Sequence, residues 1–244
     1  MINYYISKFN FLIALFRNIK YFILTKLKMS KLNYKFILLG NSAVGKTSIF
    51  RKISTGQFND KMIATIGVDK RTIETSIDVK VNNQVTKKDC VISLYDTSGQ
   101  EQFRSVTLSY YRGSDGILLI YDITNRESFD NVEKWMDSIK DSIENKSESK
   151  YAIILLGNKS DLIDVDGFKR EVTENEAMNT CDKLNMIWGG EISTKNITKE
   201  ELNELFKKYI KDIYKQVGEK KTGKQKEKKL KVKKKSGGLF SCLL

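Results

Sequence analysis

Eight residues constrain the fold of this chain more than any other stretch: Gly40, Asn41, Ser42, Ala43, Val44, Gly45, Lys46 and Thr47. They match G-x-x-x-x-G-K-[ST], a pattern that carries meaning only between a strand and a helix. Both flanks are present. Tyr34–Leu39 (YKFILL) is a short apolar run that ends at Gly40, the mark of a buried strand. A helix is predicted from about Lys46, with Ile49, Phe50 and Ile53 on its inner face. Glycines let such a loop curl until successive N–H groups point inward, and the helix N-terminus adds partial positive charge. Gly40 to Ser48 therefore reads as a cradle for the phosphates of a nucleoside triphosphate. Lys46 is expected to bridge the β- and γ-phosphates, and Thr47 to ligate Mg2+ through its hydroxyl. The loop does not name the base.

The rest of the middle region repeats the alternation. Strand-like stretches fall at about 72–81 and 90–95, with Asn82-Asn83 as a turn signal between them. Gly116–Tyr121 (GILLIY) and Tyr151–Leu156 (YAIILL) are again buried-strand runs. Helical spacing links Phe129, Val132, Met136, Ile139 and Ile143, and later Leu202, Leu205, Phe206, Tyr209 and Ile213. Buried strands alternating with helices predict an α/β fold, a single domain with a mostly parallel, six-stranded sheet covered on both faces. Ligands of such folds sit at the carboxyl ends of the strands. Asn158-Lys159-Ser160-Asp161 lies at one such end, about 110 residues after the phosphate loop. A carboxylate can accept from two adjacent donors. Guanine offers that pair, N1–H and its exocyclic amine, and adenine does not. The expected ligand is therefore GTP or GDP.

Charge separates the chain into three parts. The net charge is +13, from 43 Lys and Arg against 30 Asp and Glu. Residues 1–29 carry five basic residues and no acid, and residues 218–244 carry ten lysines and two glutamates. The middle, 30–217, is neutral, with 28 residues of each sign. A nucleic-acid-binding domain would carry the basic charge on its folded surface. Basic ends on a neutral domain point instead to an anionic membrane surface. No stretch has the roughly 20 apolar residues needed to span a bilayer. Leu12, Leu15, Phe16, Ile19, Phe22 and Ile23 fall on one helix face, with Arg17 and Lys20 on the other. Residues 1–29 thus read as an amphipathic helix, a targeting peptide, or sequence upstream of a start at Met29. Histidine is absent, so no imidazole can serve as base or metal ligand. The three cysteines, Cys90, Cys181 and Cys242, form no C-x-x-C pair, against a disulfide scaffold or zinc ribbon. Cys90 and Cys181 read as buried apolar residues. The tail from Gly218 reads as disordered.

These motifs together resemble a small GTPase of the Ras superfamily, and most its Rab branch. The strings that carry the resemblance are GNSAVGKT, ATIGVD (64–69), DTSGQEQFRS (96–105), SYYRGSDGILLIYDIT (109–124), NKSD (158–161) and EISTK (191–195), spread over roughly 31–215. The resemblance implies roles. Phe58 would stack on guanine, with the Lys159 stem on its other face. Thr65 would ligate Mg2+ and touch the γ-phosphate in the GTP state. Asp96 would hold Mg2+, usually through water. The Gly99 amide would bond the γ-phosphate, and Gln100 would orient the attacking water. Ser193, Thr194 and Lys195 would close over guanine. GTP would order two loops, about 58–70 and 97–112, and hydrolysis would release them. The implied protein is a GTP-hydrolysing switch of vesicle traffic, slow without an activating protein, that recruits effectors in the GTP state. Its partners would include an exchange factor and an escort or dissociation-inhibitor protein. It would be a monomer, cycling between the cytosol and the cytoplasmic face of an intracellular membrane. A Ras-branch signalling GTPase and a GTP-binding scaffold of low hydrolysis are the alternatives.

The sequence departs from the Rab pattern in places. Ser98 and Thr194 stand where Ala is usual. Lys70 replaces a Phe and Tyr95 a Trp; with Tyr110 these positions form the aromatic triad that Rab partners read. The segment between Thr65 and Asp96 is about eight residues longer than usual, an insertion expected in a hairpin near Val81–Asp89. Gly189-Gly190 falls inside the expected last strand and is expected to weaken it. Cys242 is third from the end rather than fourth, and geranylgeranylation there is an expectation, with the lysines of 220–235 as the second membrane signal.

Overall fold

The computed structural model describes residues 31–59, 65, 67–81, 83–97, 110–143, 151–165 and 167–218. The expectations for residues 1–30 and 219–244, including Cys242, and for Ser98, Gly99 and Gln100 lie outside these residues.

The apolar run before the phosphate loop forms β1 (Leu32–Leu39), and α1 (Lys46–Thr55) follows the loop. A long hairpin comes next, β2 (Val68–Val81) and β3 (Gln84–Thr97). Then β4 (Gly116–Asp122), α2 (Arg126–Ile143), β5 (Ala152–Asn158), a 3-10 turn (Ser160–Asp164), α3 (Glu174–Leu184), β6 (Ile187–Ile192) and α4 (Lys199–Val217) complete the described chain. The six strands make one sheet in the order β2-β3-β1-β4-β5-β6. β2 is antiparallel to β3, and the other pairings are parallel. The α/β expectation, six strands and two covered faces, is met.

The strand pleat sorts the core into two layers. Tyr34, Phe36 and Leu38 of β1 pack under α1 and α4 against Ile49, Phe50, Ile53, Leu202, Phe206 and Ile213. The alternate residues Ile37 and Leu39 face Val132, Trp135, Met136 and Ile139 of α2, with Ala177 and Cys181 of α3. β4 and β5, buried on both faces, are apolar throughout their centres. Cys90 and Cys181 are buried, and burial pushes their thiols up to about 11 and about 12.

Two departures acquire a physical reason. The extra residues between Thr65 and Asp96 are strand on both sides of the turn. Cys90 pairs with Leu32, the first residue of β1, so residues 76–81 and 84–89 extend past β1 and pair with each other as far as Val81 opposite Gln84. The Gly189-Gly190 pair does not interrupt the last strand. The register between β5 and β6 shifts between Leu155 and Gly157, and Gly190 takes the bulge conformation at φ 93°. A Cβ on Gly189 would lie 2.8 Å from both Ile154 Cγ2 and the Leu155 carbonyl oxygen. The Tyr209 hydroxyl donates to the Gly189 carbonyl at 2.8 Å, tying α4 to the bulge.

Candidate functional site

The carboxyl ends of β1, β3, β4, β5 and β6 converge on one edge of the sheet, and the motif residues meet there. The loop after β1 turns through left-handed residues, Ala43 at φ 64° and Gly45 at φ 103°. Gly45 is the N-cap of α1; it offers no side chain to the first-turn amides, and no acid stands in that turn. The positive end of α1 is thus left for an exogenous anion. A Cβ on Gly45 would come within 2.2 Å of the Asn158 amide nitrogen, so this position needs glycine for space as well as for backbone angle. Lys46 is buried and its ammonium donates to the carbonyls of Gly40 (2.9 Å) and Asn41 (2.6 Å). Burial brings that ammonium down to about 8, while the Asp96 charge pulls the other way.

A group of hard oxygens stands beside Lys46. The Thr47 and Thr65 hydroxyls are 2.6 Å apart, although eighteen residues separate them in sequence. Asp96, at the end of β3, is completely buried, and neither carboxylate oxygen has a hydrogen bond of good geometry among the described residues. Burial pushes its carboxyl up to about 6, opposed by the nearby Thr47 hydroxyl and Lys46 ammonium. A buried carboxylate without a settled partner is costly unless something else completes it. Two hydroxyls and a carboxylate are the donor types a hard divalent cation takes, so these residues fit Mg2+.

The second half of the site is built on the Asn158 side chain. Its amide donates to the Val44 carbonyl of the phosphate loop at 2.8 Å. Its oxygen accepts from the Thr194 backbone N–H (3.2 Å) and from the Thr194 hydroxyl (2.8 Å). Where Ala is usual, Thr194 therefore adds a third bond to the joint. Lys159, in the left-handed region at φ 68°, pairs with Asp122 at 2.7 Å. The Ser193 hydroxyl donates to Asp161 Oδ1 (2.6 Å) and accepts from the Asn196 N–H (3.1 Å). Lys195 is exposed, and Ser42 and Ala43 stand open at the loop tip. Phe58 is partly buried beyond the end of α1. Spacing alone did not single out Asp122 or Trp135. Asp122 also accepts from the Thr124 N–H and hydroxyl, and the Trp135 indole donates to the Asn41 side-chain oxygen at 2.9 Å. The acid at the end of β4 was a usable signal, because it ends an apolar strand at the ligand-binding edge.

At the position of the Rab triad, Tyr95 and Tyr110 are 5.8 Å apart and tilted. Lys70 places its ammonium 5.4 Å from the Tyr95 ring centre. A cation–π contact thus stands where a third ring would be expected.

A phosphate loop at the switch of a mostly parallel sheet, joined through one asparagine to an N-K-x-D base loop, defines a guanine-nucleotide-binding P-loop domain. The Ras family model matches residues 35–215. The Ras-related protein Rab-11C of Dictyostelium discoideum is 37% identical over 188 residues, covering 77% of this chain and 75% of that protein. Rab-4 of the same organism is 34% identical, over 73% of this chain and 78% of its own length. Rab-13 of Canis lupus familiaris is 34% identical, over 78% and 84%. The chain belongs to the Ras family, as a Rab-type small GTPase. It is a GTP-binding and GTP-hydrolysing switch of vesicle traffic, and family membership brings regulators and effectors in general with it.

Proposed function

We propose that residues 30–217 act as a Mg2+-dependent switch held at an intracellular membrane by the basic ends of the chain. The observation that carries the reading is the approach of the Thr65 hydroxyl to Thr47 beside the buried Asp96 carboxylate, whose oxygens have no hydrogen bond of good geometry among the described residues. Thr65 belongs to a loop, whereas Thr47 and Asp96 are fixed on α1 and β3. A loop that reaches the phosphate site through one hydroxyl can report whether a γ-phosphate is there.

Each residue then has a task. The amides of Gly40 to Ser48 hold the phosphates, and Lys46 exchanges its loop carbonyls for phosphate oxygens. Thr47, Thr65 and Asp96 would hold Mg2+, which would neutralise phosphate charge when bound. Asp161, oriented through Oδ1 by Ser193, accepts from the two guanine donors. Lys159, Phe58 and the Ser193–Lys195 loop enclose the base. The Gly99 amide binds the γ-phosphate and Gln100 positions the attacking water. An arginine from an activating protein would accelerate hydrolysis by up to about 10⁵-fold. The protein works as a monomer, recruits effectors when loaded with GTP, and passes between cytosol and membrane with an escort or dissociation-inhibitor protein, a prenyl group on Cys242 completing the anchor.

Single-turnover hydrolysis of bound GTP tests the reading. The full chain should hydrolyse slowly with Mg2+, and Gln100→Ala should be at least tenfold slower at unchanged GDP affinity. Hydrolysis as fast in that variant, or undiminished by a metal chelator, refutes it.

A further inference from the structure

A side chain of α2 reaches into the phosphate loop from the core. Trp135 lies in the middle of that helix, 2% exposed, in the core layer that holds Val132, Met136 and Ile139 against Ile37 and Leu39. A buried indole N–H needs an acceptor. This one donates to the Asn41 side-chain oxygen at 2.9 Å, 94 residues away in sequence. Asn41 is half-buried, and the next two residues, Ser42 and Ala43, are exposed at the loop tip. The Asn41 main-chain carbonyl accepts from the Lys46 ammonium at 2.6 Å. One residue thus stands between α2 and the lysine of the phosphate site. The start of α2 is fixed in turn, because the Asp122 N–H donates to the Ser128 hydroxyl at 3.0 Å and the Asp122 carboxylate pairs with Lys159.

An asparagine at the start of such a loop is a hazard for an anion site. Asn side chains bond their own backbone, commonly the N–H two residues on. From Asn41 that N–H belongs to Ala43, left-handed at φ 64° and one of the donors assigned to the phosphates. An Asn41 oxygen bound there would take the place of a phosphate oxygen, and the nucleotide would have to displace it. The Trp135 indole holds that oxygen instead. We propose that Trp135 is a positioning residue of the phosphate site: by engaging the Asn41 side-chain oxygen, it keeps that acceptor off the loop N–H groups and leaves them open to the nucleotide. The proposal rests on the assignment of the phosphates to Gly40–Ser48. It turns on the indole N–H, since a phenylalanine would fill most of the same core volume and surrender the oxygen to the loop.

The test compares GDP with GMP on the full chain in excess Mg2+, by equilibrium competition against a fluorescent GDP analogue. GMP lacks the outer phosphate and so draws less on the loop. Trp135→Phe should weaken GDP roughly three- to tenfold, the worth of one hydrogen bond, and GMP by less than about twofold. Asn41→Ala removes the competing oxygen, so Trp135→Phe/Asn41→Ala should bind GDP within about twofold of Asn41→Ala alone. If Trp135 serves packing alone, Trp135→Phe weakens GDP and GMP alike and the second change repairs nothing; either result overturns the proposal. A further readout leaves Trp135 in place. Trp188→Phe leaves a single indole N–H signal in the NMR spectrum of the GDP-bound chain. Adding Asn41→Ala should move that signal and speed its exchange with solvent. A signal indifferent to Asn41→Ala shows that the bond is not made in the loaded protein and refutes the proposal. An unaltered chain that prefers GDP to GMP by less than about tenfold refutes instead the phosphate assignment beneath it.

Discussion

Nucleotide affinity should pass through a plateau between pH 6 and pH 8 and fall on both sides, for two separable reasons. Asp96 must be ionised to help hold a divalent cation, and burial places its carboxyl at about 6 in the nucleotide-free domain. Below that value binding must expel one proton, and each further pH unit costs up to about tenfold. At pH 5 the apparent Kd should rise about 11-fold, or about 1.4 kcal/mol. Lys46 must carry its charge to bind phosphate, and its ammonium lies at about 8. At pH 9 binding must take up a proton, and the Kd should again rise about 11-fold. The assay is equilibrium titration with a fluorescent GTP analogue from pH 5 to pH 9 in excess Mg2+, with circular dichroism to confirm folding. A chelator separates the limbs, because protonation of the nucleotide is common to both conditions. The acid limb should shrink without the metal, and the alkaline limb should persist. Asp96→Asn should flatten the acid limb in the same way, and Lys46→Arg the alkaline one. An affinity flat from pH 5 to pH 9, or an acid limb indifferent to both chelator and Asp96→Asn, would show that burial of these groups does not govern binding. Stability carries a related sign. Because the folded Asp96 lies above its ordinary 3.8, its ionisation disfavours the fold, and the nucleotide-free domain should lose stability as pH rises from about 4 to about 6.

Three further substitutions probe the joints of the structure. Gly45→Ala places a Cβ 2.2 Å from the Asn158 amide at a φ of 103°; strain of about 1–3 kcal/mol should speed GDP release by tenfold or more in a stopped-flow chase. Thr194→Ala removes the 2.8 Å hydroxyl bond and keeps the backbone one, so GDP release should quicken about fivefold, near 1 kcal/mol, with the denaturation midpoint little changed. Gly189→Ala should cost about 1–3 kcal/mol in urea denaturation through overpacking against Ile154 and the Leu155 carbonyl, with nucleotide affinity spared.

Much of the fold was legible because buried parallel strands leave uninterrupted apolar runs. β1, β4 and β5 were readable to within about two residues for that reason. α2 and α4 were readable because they bury large residues at helical spacing. α3 left little such trace, since its fully buried contacts are the small Ala177 and Cys181. Its start was nonetheless encoded in the capping box of Thr173 and Glu176. β3 begins at Gln84, earlier than its apolar residues suggested, because the hairpin tip is exposed and its pairing is made by the backbone. The Gly189-Gly190 bulge was not legible, because its cause is the crossing of α4 and β5, distant in sequence. In the site, the motifs located the residues. They could not give the depth at which Lys46 and Asp96 are buried, nor that Thr194 would bond through its hydroxyl as well as its backbone.

Asn158 makes the nucleotide pocket a clasp closed by a single pin. Its amide grips the loop under the phosphates and its oxygen grips the loop over the base. A regulator that empties the pocket can therefore work at either end, because rotating one side chain unlocks both. Spontaneous opening has to break all three bonds in the same event. Release in the absence of a regulator should accordingly be slow and steeply dependent on temperature, and the chain's unusual threonine tightens that lock further.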